Sequence, residues 1–156
     1  MNWRQITVSM LDSVHSTAPR TVTLGAWAEA TKRSNITTPK RERPALLPHG
    51  HFVGGRSEHH CSSRSRIIQF DIDLKHNPDL DIDLIKELAA IHEDIFWCAR
   101  SAGGGVYGFA YVNGFLDDQL TTIENTLGVV LDRCNSRSIA ALRFASHDPQ
   151  PYEYIR

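Results

Sequence analysis

One octapeptide, Ile67–Leu74 (IIQFDIDL), constrains the fold of this chain more than any other segment. Its apolar and polar residues alternate, so that Ile68 and Phe70 share one side while Asp71 and Asp73 share the other. This period of two predicts a β-strand that turns one face to a core and carries carboxylates on the opposite face.

The chain after this strand predicts a regular series of elements. Asp81 precedes a helical stripe of apolar residues, which we expect to pack on a sheet. A glycine-rich turn separates two strands that would form a hairpin, and Gly128 is expected to end the second helix. The stripe comprises Leu84, Leu88, Ile91 and Ile95, the later strands are Phe96–Arg100, Val106–Val112, Val129–Asp132 and Ala140–Ala145, and Asp117 is expected to cap the second helix.

From Ile67 to Asp132 the predicted order is β-α-β-β-α-β, the split βαβ plan of ferredoxin-like and RRM-like domains. In that plan the fourth strand lies beside the first. We therefore expect an α+β protein in which Asp132, at the end of the fourth strand, lies close to Asp71 and Asp73.

The N-terminal part of the chain predicts a small α/β extension of this core. Strand-like runs lie at Gln5–Leu11 and Thr21–Leu24, and Gly25–Lys32 predicts a short helix. Arg33–Ser65 is rich in Pro, Gly, Ser, His and Arg and shows no sustained period, which indicates a loop. Long loops of this kind are commonly functional or disordered.

A near-neutral total hides two parts of opposite charge. The 156 residues carry a formal net charge of −1, yet nine Lys or Arg face three Glu between Arg20 and Arg66, whereas residues 67–156 contain seven Lys or Arg and fourteen Asp or Glu. Two interpretations stay open: a solvated basic loop beside a solvated acidic face, or a polyanion-binding segment beside a carboxylate metal site. We treat the chain as one domain, with a basic subdomain at residues 1–66 and a core at residues 67–156.

The composition argues against several classes of protein. The sequence has no run of about 18 apolar residues and so predicts no membrane span, and its polar N-terminus lacks the apolar core of a secretory signal. Cys61, Cys98 and Cys134 are odd in number and far apart, which argues against a disulfide framework. We expect a cytoplasmic protein with free thiols and no membrane partner.

Asp71 and Asp73 are the leading candidates for a chemical role. Side chains at i and i+2 of a strand project from the same face about 6 to 7 Å apart, close enough to share one or two hard divalent cations. Asp132 ends another apolar run and would supply a third carboxylate, as two-metal phosphoryl transfer requires. The alternative is an exposed strand face with no catalytic role.

Further polar residues are candidates for contacts with phosphate. The amides of the turn Ser101–Gly105 could hold phosphate oxygens, or the glycines could simply close a hairpin. Arg100, Arg137 and Arg143 are candidate phosphate contacts, although Arg143 could instead form a structural ion pair with one of the acids.

A cluster of histidines lies in the N-terminal loop. Its spacing matches no standard structural zinc pattern, and the sequence has no paired C-x-x-C. We therefore expect a polar loop and no zinc. The cluster comprises His49, His51, His59, His60 and Cys61.

Four segments together resemble the VirE N-terminal type of primase-polymerase domain, a branch of the archaeo-eukaryotic primase superfamily found in replication proteins of phages, plasmids and other mobile elements. The likeness extends upstream to ITVSML and RTVTLGAWAEA and so covers nearly the whole chain. It implies the archaeo-eukaryotic primase fold, with an RRM-like catalytic core and a small N-terminal extension. The segments are LLPHGHFVGGR (Leu46–Arg56), IIQFDIDL (Ile67–Leu74), RSAGGGVYGFAYV (Arg100–Val112) and VVLDRCNSRSIAALRFASHDPQPY (Val129–Tyr152).

The resemblance assigns roles to individual residues. The D-x-D motif of the family falls on Asp71 and Asp73, and its third motif, an apolar residue followed by Asp, falls on Leu131 and Asp132. These aspartates would be the catalytic carboxylates and the ligands of two Mg²⁺ or Mn²⁺ ions. The second motif ends in a His or Lys that contacts the incoming phosphates, and here Tyr107 or Gly108 stands at that position.

The resemblance also implies a set of nucleotide contacts. The G-x-F-x-x-x-R stretch falls on Gly50, Phe52 and Arg56, the arginine after the third motif is Arg137 or Arg143, and Asp148 matches the family's tail. The implied nucleotide-binding residues are Arg56, Arg100, Ser101, Gly103, Gly104, Gly105, Tyr107, Arg137 and Arg143.

The activity implied is that of a DNA primase or DNA-directed polymerase. Its partners would be NTP or dNTP and a single-stranded DNA template or primer-template, with a replicative helicase as a candidate further partner. Because the second motif lacks its basic residue, one alternative is a catalytically degenerate module that binds nucleotide or single-stranded nucleic acid. A metal-dependent nuclease, which uses the same carboxylates with water as nucleophile, is another.

Overall fold

The computed structural model describes residues 1–155, which form a mixed α+β protein with small antiparallel sheets and four α-helices. The chain divides into two compact units: unit 1 holds residues 1–66 and 138–149, and unit 2 holds residues 67–137 and the chain from residue 150 onward. The strands are β1 Thr7–Leu11, β2 Arg20–Thr23, β3 Ala45–Leu47, β4 Gly50–Phe52, β5 Cys61–Arg64, β6 Ile67–Ile72, β7 Ile95–Arg100, β8 Val106–Tyr111, β9 Arg143–Phe144 and β10 Tyr152–Glu153. The α-helices are α1 Leu24–Arg33, α2 Ile82–Ala89, α3 Leu116–Leu127 and α4 Arg133–Arg137, and 3-10 turns lie at Trp3–Gln5, Lys40–Glu42 and Glu58–His60.

Unit 1 is built on a four-stranded sheet in the order β2-β1-β3-β9, in which neighbouring strands are antiparallel. Helix α1 follows β2 directly because the Thr23 hydroxyl accepts a hydrogen bond from the Ala26 amide at 3.1 Å and so caps the helix. Strands β4 and β5 form a separate two-stranded ladder with a bulge at His51 and Phe52. A small core of Leu11, Leu47 and Phe52 lies in this unit.

Unit 2 is built on an antiparallel sheet in the order β10-β7-β8-β6. Ile68, Phe70 and Ile72 lie on one face of β6, where they pack in a core with residues of α2 and α3 such as Ile85 and Leu120. The sequence correctly predicts that Ile68, Phe70 and Ile72 share a face, but the other face is covered as well, since Gln69 is fully buried and Asp71 is partly buried.

The structure also assigns residues 138–149 differently from the sequence interpretation. The sequence places them in the core part that begins at residue 67, whereas they belong to unit 1 and supply β9 to its sheet. The break between Arg66 and Ile67 coincides with the boundary between the two units.

The apolar stripe predicted on helix α2 holds only at Leu88, because Leu84 and Ile91 are exposed and Ile95 already belongs to strand β7. Asp81 caps the helix as expected, since its carboxylate accepts from the Leu84 amide at 3.1 Å. After Ala89 the backbone tightens: the amide of Ile91 donates to the carbonyl of Leu88, three residues back. This tighter turn rotates Ile91 into solvent, where it is 74% exposed, and Leu84 is also exposed. Ile85 and Ala89 form the buried face instead.

The predicted strand at Val129–Asp132 is absent, because the side chain of Asn77 takes the place of a neighbouring strand. Asn77 Oδ1 accepts from the Val130 amide and Nδ2 donates to the Val130 carbonyl, both at 2.8 Å. The segment nonetheless lies beside β6, since the amide of Asp132 donates to the carbonyl of Asp71 at 2.9 Å. The expected proximity of the two aspartates is therefore confirmed without a strand.

Other boundaries differ by small amounts. Helix α3 begins at Leu116, so Asp117 lies in its first turn and does not cap it, whereas Gly128 ends it in the left-handed conformation, as predicted. The predicted loop 33–65 contains the short strands β3, β4 and β5, and the last predicted strand reduces to β9. None of the helices within residues 1–155 combines the length and the apolar character that a bilayer crossing requires.

Candidate functional site

Two of the three predicted carboxylates meet at one side chain of helix α4. The Asn135 amide nitrogen lies 3.4 Å from Asp71 Oδ2 and 3.4 Å from Asp132 Oδ2, so it donates to both. The two carboxylate oxygens are therefore no farther apart than twice that distance. Their partly buried side chains lie within unit 2. A shared amide donor offsets the repulsion that two neighbouring carboxylates exert on each other.

Asp132, the residue before helix α4, determines where the helix begins. Asp132 Oδ1 accepts from the Cys134 amide at 3.0 Å, which turns the chain into the helix. Residues three apart on a helical turn lie on the same side, so Asn135 returns to the Asp132 side chain. Its backbone carbonyl accepts from Gln69 Nε2 at 3.5 Å, which ties α4 to the polar face of β6.

Asp73 lies one residue beyond β6 in an exposed turn. Its backbone carbonyl accepts from both the amide and the side-chain Nδ2 of Asn77, each at 3.0 Å. Because Asn77 also holds Val130, the turn after β6 and the segment before Asp132 are tied together. Asp73 therefore does not lie on the polar face of β6, where the sequence analysis placed it. Within residues 1–155 no three His, Cys, Asp or Glu side chains are grouped as metal ligands.

The glycine-rich turn of residues 101–105 lies at the same end of the sheet as Asp71. It closes the β7–β8 hairpin through a hydrogen bond from the Ser101 amide to the Gly105 carbonyl at 2.9 Å. Gly105 lies so close to β6 that a Cβ atom would overlap the carbonyl oxygen of Ile72. Gly103, by contrast, has open space around it. Arg100 is exposed at the end of β7, next to this turn.

Tyr107, at the basic position of the implied second motif, is fully buried. It lies opposite Asp71 in the β6–β8 ladder and edge-on to Phe109, with ring centroids 5.5 Å apart. The neighbouring Gly108 lies against the ring of Phe70 and has no side chain to offer. Neither residue presents a cationic group at the surface.

The remaining predicted arginines are distributed over both units. Arg137 lies in α4, 2.8 Å from the Asp117 carboxylate, whose hydrogen bond and charge raise the pKa of the guanidinium. Arg56 is exposed in unit 1, and Arg143 is a buried residue of β9 in the same unit. In unit 2 the glycine turn, Arg100 and Asp71 thus lie at the same end of the sheet, but Arg100 pairs with Val106 in the ladder and so projects from the face opposite to Asp71.

Two histidines of the predicted polar loop form hydrogen bonds within unit 1. His51 lies between Thr7 Oγ1 at 3.0 Å and Ser63 Oγ at 3.1 Å. His49 is almost completely buried and donates from Nδ1 to the Ser138 carbonyl at 2.8 Å. Burial lowers the pKa of His49 below its ordinary value of 6.5.

Asn135 and Asn77 are the functional candidates that the sequence interpretation missed. The sequence does indicate the contact of Asn135 with Asp132, because residues three apart at the start of a helix lie on the same side of it. No such indication exists for Asn77, because its partner Val130 is 53 residues away.

Comparison with family models, with curated proteins and with solved structures finds no match to this chain.

Proposed function

We propose that this chain is a primase-polymerase domain that transfers nucleotides onto a single-stranded DNA template or primer-template, in the replication of a phage or other mobile element. The fold proposed with it is that of the archaeo-eukaryotic primases, with unit 2 as an RRM-like core. In support, β6, β7 and β8 pair in the order β7-β8-β6, and the segment ending at Asp132 runs beside β6.

The observation that carries the proposal is the shared contact of Asn135 with Asp71 and Asp132. It brings together two carboxylates that are 61 positions apart in sequence, at the end of the sheet that also holds the glycine turn. Oxygen ligands of this kind suit the hard cations Mg²⁺ and Mn²⁺. Asp71, Asp132 and the adjacent Asp73 would hold the two ions, which supply charge neutralisation for a triphosphate and activation of a hydroxyl nucleophile.

The surrounding residues have defined tasks in this proposal. Asn135 positions the two carboxylates in the absence of a cation, and the glycine turn leaves room for phosphate beside them. Arg100 would attract the triphosphate, and the excess of Lys and Arg between Arg20 and Arg66 would attract the template. NTP or dNTP would be the substrate, and a replicative helicase is a candidate partner.

One observation favours a second function, a catalytically degenerate module that binds nucleotide or single-stranded nucleic acid. Tyr107 is fully buried and Gly108 lacks a side chain, so neither residue offers a positive charge where the family has a His or Lys that contacts phosphate. A domain of this kind would keep the basic surface and lose nucleotide incorporation.

Primer synthesis and primer extension with the whole chain test the proposal. With Mg²⁺ or Mn²⁺ we expect incorporation of labelled nucleotide on single-stranded DNA, and its loss in the double variant Asp71→Ala with Asp73→Ala. Asp83→Asn, an exposed acid of α2 outside the site, is the matched control and should retain activity.

The outcomes separate the two functions. Incorporation that survives the double substitution would contradict the assigned site. A folded wild type that binds single-stranded DNA but incorporates nothing with either metal would refute the enzyme and support the binding module. Cleavage of the strand in the same assay would point to a nuclease.

A further inference from the structure

Unit 1 contains a pocket of about 550 Å³. It lies between helix α1, the strands β1 and β2 and the segment of residues 34–38, and every described residue that lines it belongs to unit 1. Pockets of about 300 to 1,000 Å³ are the size that small organic ligands occupy. None of the roles proposed for Asp71, Asp132 or Asn135 involves this pocket.

The walls of the pocket are mainly apolar. Met10 and Val22 contribute from the sheet, Trp27 and Ala30 from α1, and Ile36 from the loop. Trp27 is only 5% exposed, so its ring is held in place and only a small part of its surface reaches the pocket. The fixed indole and the short aliphatic side chains form an apolar wall against which the apolar part of a ligand can pack.

The charged residues that line the pocket are both arginines. Arg20 and Arg43 line it, and of its described lining residues none carries a carboxylate. Arg43 is oriented by two backbone carbonyls, since Nε donates to Thr38 at 2.8 Å and Nη1 to Ala145 at 3.2 Å. The Arg20 guanidinium forms an ion pair with an exposed acid, Asp12, at 3.0 Å.

An exposed ion pair such as Arg20 with Asp12 is weak, so a ligand anion can compete for the guanidinium. Arg43, by contrast, holds the 34–38 segment against residue 145 and so keeps one wall of the pocket in place. The pocket therefore combines an apolar floor with a cationic rim. This combination favours a ligand with an apolar part and one negative charge.

We propose that this pocket binds a small organic anion, with its apolar part against the wall that Trp27 and Ala30 form and its anionic group near Arg20. The site is independent of the nucleotidyl transfer proposed above, and neither inference requires the other.

A pair of fluorescent probes tests both parts of the proposal. 8-Anilinonaphthalene-1-sulfonate is an aromatic anion, and N-phenyl-1-naphthylamine is its neutral counterpart without the sulfonate. With the folded chain at pH 7 we expect saturable binding of one equivalent of the sulfonate, with energy transfer from tryptophan. Each protein is checked by circular dichroism and thermal unfolding, because the sulfonate also binds partly unfolded proteins.

Ala30→Leu fills the pocket from the exposed side of α1 and should weaken both probes at least tenfold. Arg33→Leu adds the same side chain to the same helix outside the pocket and should leave binding unchanged. If Ala30→Leu does not fold, Ala26→Leu, which also lines the pocket at an exposed position, replaces it.

Arg20→Gln should weaken the sulfonate by about threefold to fivefold, as expected for one partly exposed charge, and leave the neutral probe unchanged. Arg33→Gln is the matched charge control. Absence of saturable binding, or equal binding by Ala30→Leu and Arg33→Leu, would overturn the site. An equal loss of both probes in Arg20→Gln would overturn the assignment of an anion.

Discussion

Replacing Gly105 by alanine tests how closely the glycine turn approaches strand β6. The new Cβ would overlap the carbonyl oxygen of Ile72. That oxygen belongs to the β6–β8 ladder, in which Ile72 pairs with Val106, so it cannot move aside as a flexible side chain would. Overpacking of this kind costs about 1 to 3 kcal/mol, and the fixed backbone puts Gly105→Ala in the upper half of that range.

Gly103→Ala is the matched control in the same turn. No atom lies within 4 Å of the Cβ position at Gly103, so its methyl group meets open space. We expect this variant to be neutral, or stabilised by less than about 1 kcal/mol because alanine restricts the unfolded chain. Both variants add one methyl group to the same turn, but the methyl group at position 105 meets β6 and the one at position 103 does not.

Urea unfolding followed by tryptophan fluorescence measures both variants. A loss of about 2 kcal/mol moves the midpoint by about 1 M for a chain of this size, with an unchanged slope. If Gly105→Ala stays within about 0.5 kcal/mol of the wild type, or if Gly103→Ala loses as much stability, the close approach of the turn to β6 is wrong.

Three further predictions concern stability. Burial lowers the pKa of the His49 imidazole, so on acidification the unfolded chain takes up a proton before the folded chain does. The free energy of unfolding should therefore fall as the pH drops below about 6.5, by up to about 1.4 kcal/mol per pH unit. Urea titrations at pH 5 to 8 should show a weaker dependence of stability on pH for His49→Gln. Asn135→Ala should lower the free energy of unfolding by about 1 kcal/mol, because Asp71 and Asp132 lose their shared donor, and an unchanged urea midpoint would count against that contact. Gly128→Ala should cost about 1 kcal/mol in thermal unfolding, because φ is +65° there and no neighbouring atom is near enough to add a clash; a neutral result would contradict the left-handed cap.

Local patterns predicted the elements whose cause is local. The apolar face of β6, the cap at Asp81 and the stop at Gly128 each depend on residues a few positions apart, and the structure has all three. The proximity of Asp132 to Asp71 also followed, because the order of elements placed the two segments side by side.

What the sequence did not predict depends on contacts over long distances. The side-chain amide of Asn77 forms two hydrogen bonds with the backbone of Val130, as a neighbouring strand would. A periodic pattern of apolar residues does not predict such a contact. Strands β3, β4 and β5 have three or four residues each, too few to show a period of two. Ile91 leaves the predicted stripe because the helix tightens one turn earlier than the apolar spacing indicates.

The alternation of the chain between its two units has a consequence for synthesis on the ribosome. Strand β3 acquires its neighbour β9 only at Arg143–Phe144, and β7 acquires β10 only at Tyr152–Glu153. Until those residues emerge, each sheet exposes an edge whose backbone groups lack their final partner, and such edges promote association between chains. Strand β3, complete at Leu47, therefore keeps an unpaired edge until Arg143 has been synthesised, and β7, complete at Arg100, keeps one until Tyr152.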